Sequence, residues 1–429
     1  MSLKIIKLES SAARLILAAT AVVCVGAALF FAKWNLAYAI STRLDVTRPE
    51  SKIVAEWLIA AAPEDPQTHS AAALVLEETF DPNDLARSLI ESETAAAVSP
   101  NHFQLWLNLG KARDTSGDID GAESAFRRAM DLAPNYASVQ WAFGNSLIRH
   151  GKSDEGFALV AKAAAADPQY SPPAVSLALQ LLDSDVGQVR RVLGDNTDTN
   201  LALANVLVLQ KHYDEAFEAW SRLDDEVKRV NGRDTGLRLF SLFAEAKKFR
   251  LAGGVSGDIL PEGSERPVVG QISNGGFENG VKMRGAGIFE WQIAEGSDPQ
   301  IGLSEAVKHS GRYALIMTFD TFEAASFRSI SQTVPVVPGV SYELELHYRM
   351  DVKTAASFRW EIAEPVYAAR IAATDPLALA GDWATSKVTF TVPATVDGVI
   401  VRFIREGCGG GACPVKGKIS FDDLSIRRL

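Results

Sequence analysis

A chain of 429 residues exceeds one ordinary hydrophobic core, so two or three domains are expected. Apolar residues make up 47% and charged residues 22%, which excludes extensive disorder. A formal net charge of −10 excludes a broadly basic surface, so nucleic acid is not an expected partner.

The first element is an apolar run. No charged residue occurs from Leu15 to Ala32, and Arg14 and Lys33 bracket it. As a helix the run reaches ~27 Å, close to the roughly 30 Å hydrocarbon core of a bilayer. Residues 1–34 therefore read as a cytoplasmic tip and a transmembrane anchor. Lys4, Lys7 and Arg14 favour an N-terminus inside and the bulk of the chain outside, whereas Lys33 and Arg43 weaken that bias. The expected location is a bacterial cytoplasmic (inner) membrane, crossed once. The rival reading is a cleaved signal peptide, with Ala37-Tyr38-Ala39 as its cleavage site beyond bulky Phe30, Phe31 and Trp34. Cys24 is a poor lipidation site, because Val23 stands where a small residue is needed.

Helical repeats follow over 35–250. Pro66, Pro100, Pro134 and Pro168 recur every 34 residues without drift. Each proline is read as closing one helix, with its successor starting next. In the clearest unit Trp106, Leu109 and Gly110 lie on a first helix, Gly117 and Gly121 at the turn, and Ala122, Phe126 and Ala129 on a second helix. The next unit repeats this with Phe143, Gly144, Gly156, Val160, Ala163 and Pro168. The unit before is weaker, with Ser88 and Ser92 at apolar positions. Beyond Pro168 the period slips. Pro172-Pro173 opens a helix with 186–193 as a short partner, Leu203, Ala204, Ala216 and Trp220 restore the pattern, and a capping helix is expected at 234–249.

These residues resemble the tetratricopeptide repeat, strongly over 100–168. The resemblance implies a curved solenoid whose first helices line a groove for a protein partner. Carried over, the groove residues are Gln104, Lys111, Asp114, Trp141, Asn145 and Arg149. The alternative is an ordinary solvated face, with Trp141 in the core.

The stretch 251–267 is rich in Gly, Pro and Ser and reads as a linker. From 268 to 429 the apolar period becomes two. Tyr342, Leu344, Leu346 and Tyr348 alternate with polar residues, as do Tyr313, Leu315, Met317 and Phe319; Val388, Phe390 and Val392; and Val399, Val401 and Phe403. At least eight antiparallel strands in a two-sheet sandwich or jelly roll are expected. In the last strand Ile419 and Phe421 are odd but Leu424 and Ile426 are even, so a β-bulge is expected at Asp422-Asp423.

Asn274-Gly-Gly-Phe-Glu278, Ser310-Gly-Arg-Tyr-Ala-Leu, Gly381-Asp-Trp383 and Ile419-Ser-Phe-Asp422-Asp423-Leu-Ser-Ile426 resemble the galactose-binding-like jelly rolls that include many carbohydrate-binding modules. No cofactor is required by this reading. The resemblance implies a structural calcium where the domain's ends meet, with Glu278 and Asp422 as ligands; the alternative is that these acids bond local amides or water. It also implies glycan stacking on exposed aromatics, for which Phe289, Trp291, Phe322 and Trp360 are candidates against a core role. Trp383 is expected in the core.

Cys408 and Cys413 enclose four residues, with no further Cys or His nearby for zinc. Outside the cytoplasm they are expected to form a disulfide. No G-x-S-x-G elbow, H-E-x-x-H helix or phosphate-cradling loop is present, so an enzyme is not expected. The fold class is multidomain: an N-terminal transmembrane helix, an α-helical solenoid and an all-β jelly-roll sandwich. The functional expectation is a membrane-anchored envelope scaffold binding a protein partner, set by analogy in polysaccharide assembly or export. The alternative is a carbohydrate-binding protein in which the solenoid is a spacer.

Overall fold

The computed structural model describes residues 10–48, 50–261, 264–323, 327–407 and 412–429, with backbone alone at 321–323, 412 and 413. The chain divides into two compact units, Met1–Asp198 and Thr199–Leu429.

The first unit begins with α1 (Ser11–Ser41), a single helix long and apolar enough to cross a membrane. Helical hairpins follow: α2 (Ser51–Ala61), α3 (Pro66–Glu77), α4 (Pro82–Val98), α5 (Phe103–Ser116), α6 (Ile119–Leu132), α7 (Ala137–Arg149), α8 (Ser153–Ala166), α9 (Ser171–Leu181) and α10 (Val186–Leu193). The prolines do not all close helices. Pro66 and Pro82 open α3 and α4, where a missing N–H costs nothing, and Asp65 and Asp81 cap the exposed amides ahead of them. Pro100 and Pro134 lie in turns, and Pro168 starts a single 3₁₀ turn.

Hairpin packing follows the repeat. Gly110 of α5 faces the ring of Phe126 on α6, and Phe126 stacks on Phe143 of α7 at 5.7 Å. In the weaker unit Ser88 and Ser92 are buried, and Ser88 Oγ donates to Ala73 O of α3 at 2.8 Å. A serine thus fills an apolar site by bonding a neighbouring carbonyl.

In the second unit α11 (Thr197–Leu209), α12 (Tyr213–Ser221) and α13 (Asp225–Arg229) precede α14 (Arg233–Glu245) and α15 (Phe249–Ile259). Two corrections follow. The expected capping helix is a pair, broken where Lys247 takes φ 62°. The expected linker is helical over its first nine residues, because its glycines serve packing. A Cβ on Gly254 would stand 2.8 Å from Phe217, and Phe249 of α15 lies against Gly398 of the sandwich.

Ten strands among the described residues form two antiparallel sheets. They are β1 (Gln292–Ile293), β2 (Gln300–Ser304), β3 (Ala314–Glu323), β4 (Ile330–Pro335), β5 (Ser341–Thr354), β6 (Ser357–Ala363), β7 (Arg370–Ala373), β8 (Ala380–Thr391), β9 (Gly398–Glu406) and β10 (Ala412–Arg428). One sheet runs β1-β4-β9-β6-β7 and the other β2-β3-β10-β5-β8. Leu344, Leu346, Met317, Phe319, Val401, Phe403 and Phe421 meet between them, so the alternation marks the inner faces as expected. The bulge also stands where parity put it. Asp422 pairs with His347 but Ser425 pairs with Glu345, so three steps on β10 match two on β5, and Asp423 takes φ 49°.

Candidate functional site

On the helical unit, the first helices of successive hairpins are joined side by side. Asn108 Nδ2 on α5 donates to Ser70 Oγ on α3 at 3.2 Å. From α7, Arg149 and the adjacent His150 both bond the Asp114 carboxylate on α5. Burial raises the proton affinity of Asp114, but bonds from His150 and Arg149 outweigh it and hold the carboxyl below its ordinary range. Asp114 and Arg149 therefore tie two helices together. Of the other groove candidates, Lys111 is exposed and Gln104 bonds Asn108. Asn145 donates to Trp141 O, and the half-buried Trp141 ring lies 5.4 Å from Tyr170.

Asp114→Asn should cost about 1–2 kcal/mol, the range of hydrogen bonds to a charged group less solvent screening at exposed Arg149. Because the folded-state value is lowered, the carboxylate's contribution is present above the ordinary carboxylate range and lost as pH falls through it. The wild-type advantage over Asp114→Asn should thus shrink towards acid pH, measured by denaturant unfolding followed at α5 and α7. An advantage equal at every pH would refute the ionic role.

On the sandwich, three sequence motifs meet at one loop. Glu278 accepts the amides of Arg312 and Tyr313, at 2.9 and 3.2 Å. Wholly buried Asp422 accepts those of His309 and Ser310, at 2.8 and 3.1 Å, and that of Asp423 at 2.8 Å. Asp423 takes His309 Nδ1 and Ser310 Oγ, both at 2.7 Å. Gly275 O accepts from Leu424 N, and Phe277 packs under Trp291. Burial pushes the Asp422 carboxyl upward, against the pull of the Ser310, His309 and Asp423 amides. Glu278 and Asp422 thus spend their oxygens on backbone N–H groups. Among the described residues no three acidic, His or Cys side chains gather where they could hold a metal ion. This is the arrangement of the alternative reading, in which the two acids bond local amides.

The aromatic candidates are corrected too. Phe289, Trp291 and Trp360 are buried. Phe289 packs 6.2 Å from Phe240 of α14. Trp291 donates Nε1 to Asn274 O at 2.9 Å, and Trp360 is wedged against Phe403, Phe421 and Trp291. The Phe322 side chain, Cys408 and the Cys413 side chain lie outside the described residues. Trp383 stands half exposed on the outer face of the β5–β8 sheet, not in the core. Its Nε1 donates to Lys308 O at 3.0 Å, and its ring meets His309, which stacks on His347 at 3.9 Å.

Sequence reasoning missed a charged network on the outer face of β9, β6 and β7. Glu361, only 3% exposed, sits beneath two guanidiniums: Arg402 Nε reaches its Oε1 at 2.8 Å and Arg370 Nε its Oε2 at 2.7 Å. Arg370 also bonds Glu406 and holds that carboxyl below its ordinary range, and Arg359 completes the network 2.8 Å from Glu406. Tyr367, 83% exposed, stands in the adjoining β6–β7 turn, which Arg402 grips through Ala368 O. The strand Arg359-Trp360-Glu361 carried the signal: two charges flanking a tryptophan turn its ring inward and stand together on the outer face.

Residues 269–406 match the family model of a carbohydrate binding domain. No curated protein matches the chain significantly. Solved structures similar to parts of it include one described as "CBM4 structure and function", at 18% identity over 37% of this chain and 99% of that one, TM-score 0.28. TmCBM61 in complex with beta-1,4-galactotriose is 15% identical over 36% of this chain and 96% of its own, TM-score 0.27. MamA 41-end from Desulfovibrio magneticus RS-1 is 17% identical over 37% and 94%, TM-score 0.31. The chain joins helical hairpins to a C-terminal two-sheet sandwich, of which residues 269–406 match a carbohydrate binding domain.

Proposed function

We propose that this protein is a membrane-anchored binding scaffold without catalytic activity, holding a glycan on its sandwich and a protein partner on its helical repeats. The match of residues 269–406 to a carbohydrate binding domain carries the glycan reading. The outer face of β9, β6 and β7 supplies suitable chemistry. Guanidinium and carboxylate groups held in fixed orientation match paired sugar hydroxyls, and exposed Tyr367 offers a ring for a pyranose face. For the partner, the joined first helices α3, α5 and α7 offer Gln104, Lys111, Trp141 and Asn145.

Anchoring by α1 favours a place on the outer side of a bacterial inner membrane, where Cys408 and Cys413 would be bridged. Polysaccharide assembly or export is a setting that uses both a glycan and a protein partner. Tyr367→Ala and Arg402→Ala in the full chain should each weaken glycan affinity about tenfold, equivalent to roughly 1.4 kcal/mol, measured by calorimetry in detergent. Unchanged affinity in both variants would move the site off this face.

A further inference from the structure

We infer that the first helical hairpin is seated on the lipid headgroups through the α2–α3 turn, Ala62–Asp65, and does not hang from a flexible stalk. The inference rests on reading α1 as a membrane span.

Helix α1 continues without a break for nine residues beyond Ala32, the last residue of its charge-free run. Helix α2 then runs back along it. At the far end Ser51 Oγ donates to Asp45 O at 2.5 Å; at the near end Lys33 Nζ reaches Ala60 O at 3.4 Å. Between these points Ala37 is wholly buried against a cluster of Leu58, Ala61, Ala62 and Ala71, with Trp34 and Ile40 partly buried on it. Ala60 therefore lies within reach of the ammonium of Lys33, the first charge past the apolar run. The turn that follows is held at the height where hydrocarbon gives way to headgroups.

The side chains at that height suit the headgroup layer, which is about 5–7 Å thick on each side of the hydrocarbon. Tyr38 lies ~7 Å above Lys33 along α1, and Trp57 lies one turn before the end of α2. Both are exposed, as is Leu36. Tryptophan and tyrosine favour this layer, where an apolar ring and a polar edge are both satisfied. Pro63 and Glu64 form the exposed tip, leaving the Glu64 carboxylate among hydrated headgroups. The same packing opposes cleavage at Ala37-Tyr38-Ala39, because removing Trp34 and Ala37 would open the core beneath α2 and α3.

The test places nitroxide labels on the full chain in phosphatidylcholine vesicles, with Cys24→Ser, Cys408→Ser and Cys413→Ser as background. Single cysteines at Gly26→Cys, Glu64→Cys and Glu78→Cys report the span, the turn and the opposite end of α3. Collisions with a water-soluble nickel chelate should be nearly absent at 26 and several-fold fewer at 64 than at 78. Equal collisions at 64 and 78, with 26 still shielded, would overturn the seated hairpin alone. A water-exposed label at 26 would overturn the span and the inference together.

Discussion

Gly275→Ala is expected to unfasten the two ends of the sandwich. A Cβ at position 275 would stand 1.9 Å from Leu424 O, a backbone atom in the β10 bulge, between the Asp422–His347 and Ser425–Glu345 pairs. Nothing there can rotate away, so the opening loop must withdraw. The Leu424 N to Gly275 O bond would then break, Phe277 would lift from Trp291, and Glu278 would leave the Arg312 and Tyr313 amides. Overpacking typically costs about 1–3 kcal/mol, and loss of buried hydrogen bonds adds about 1–3 kcal/mol more, so a loss of ~3 kcal/mol or greater is expected. Hydrogen exchange in 272–280 and 419–428 should accelerate by two orders of magnitude or more, since about 1.4 kcal/mol corresponds to tenfold. Native exchange in both segments would show that the loop is not held by this contact.

Gly110→Leu should act comparably on the helical unit. A Cβ at 110 would meet Phe126 Cδ1 and Cε1 at 2.7 Å. The Phe126 ring is buried and stacked on Phe143, so α5 and α6 must separate to admit the larger side chain. The cost should approach 3 kcal/mol, the upper end for overpacking, with Gly110→Ala costing less. The two units need not unfold together, so a single melting temperature is a poor measure; exchange at 103–132 against 342–352 separates them. Acceleration confined to 103–132 is expected, and no change there would refute the close α5–α6 approach.

Gly110 and the Asp422-Asp423 bulge were legible before any coordinates, whereas the approach of Gly275 to that bulge was not. The 34-residue period located Gly110, and the change of parity around Asp422-Asp423 located the bulge against which Gly275 packs. The motifs behind the jelly-roll resemblance proved to be its fastening. Glu278, Ser310, Asp422 and Asp423 bond one another's loops, so they mark the fold. The misread elements share a cause. Gly253, Gly254 and Gly257 looked like linker, yet glycines that seat a helix against Phe217, Pro335 and Arg266 have the same composition as glycines that loosen a chain. Phe289, Trp291 and Trp360 face inward, and alternation alone cannot say which face is wet. Tyr367 belongs to a turn without period, so no pattern exposed it. The cross-strand ties from Arg402 and Arg370 to Glu361 span 41 and 9 residues and required the sheet itself.

The central claim is that the sandwich binds carbohydrate while α1 and the helical hairpins hold it at a membrane. It is tested most directly by presenting vesicles that carry the full chain to a panel of immobilised glycans. A defined subset of glycans should retain the vesicles, and soluble glycan of the same kind should release them. Vesicles carrying folded protein that are retained by no glycan would contradict it.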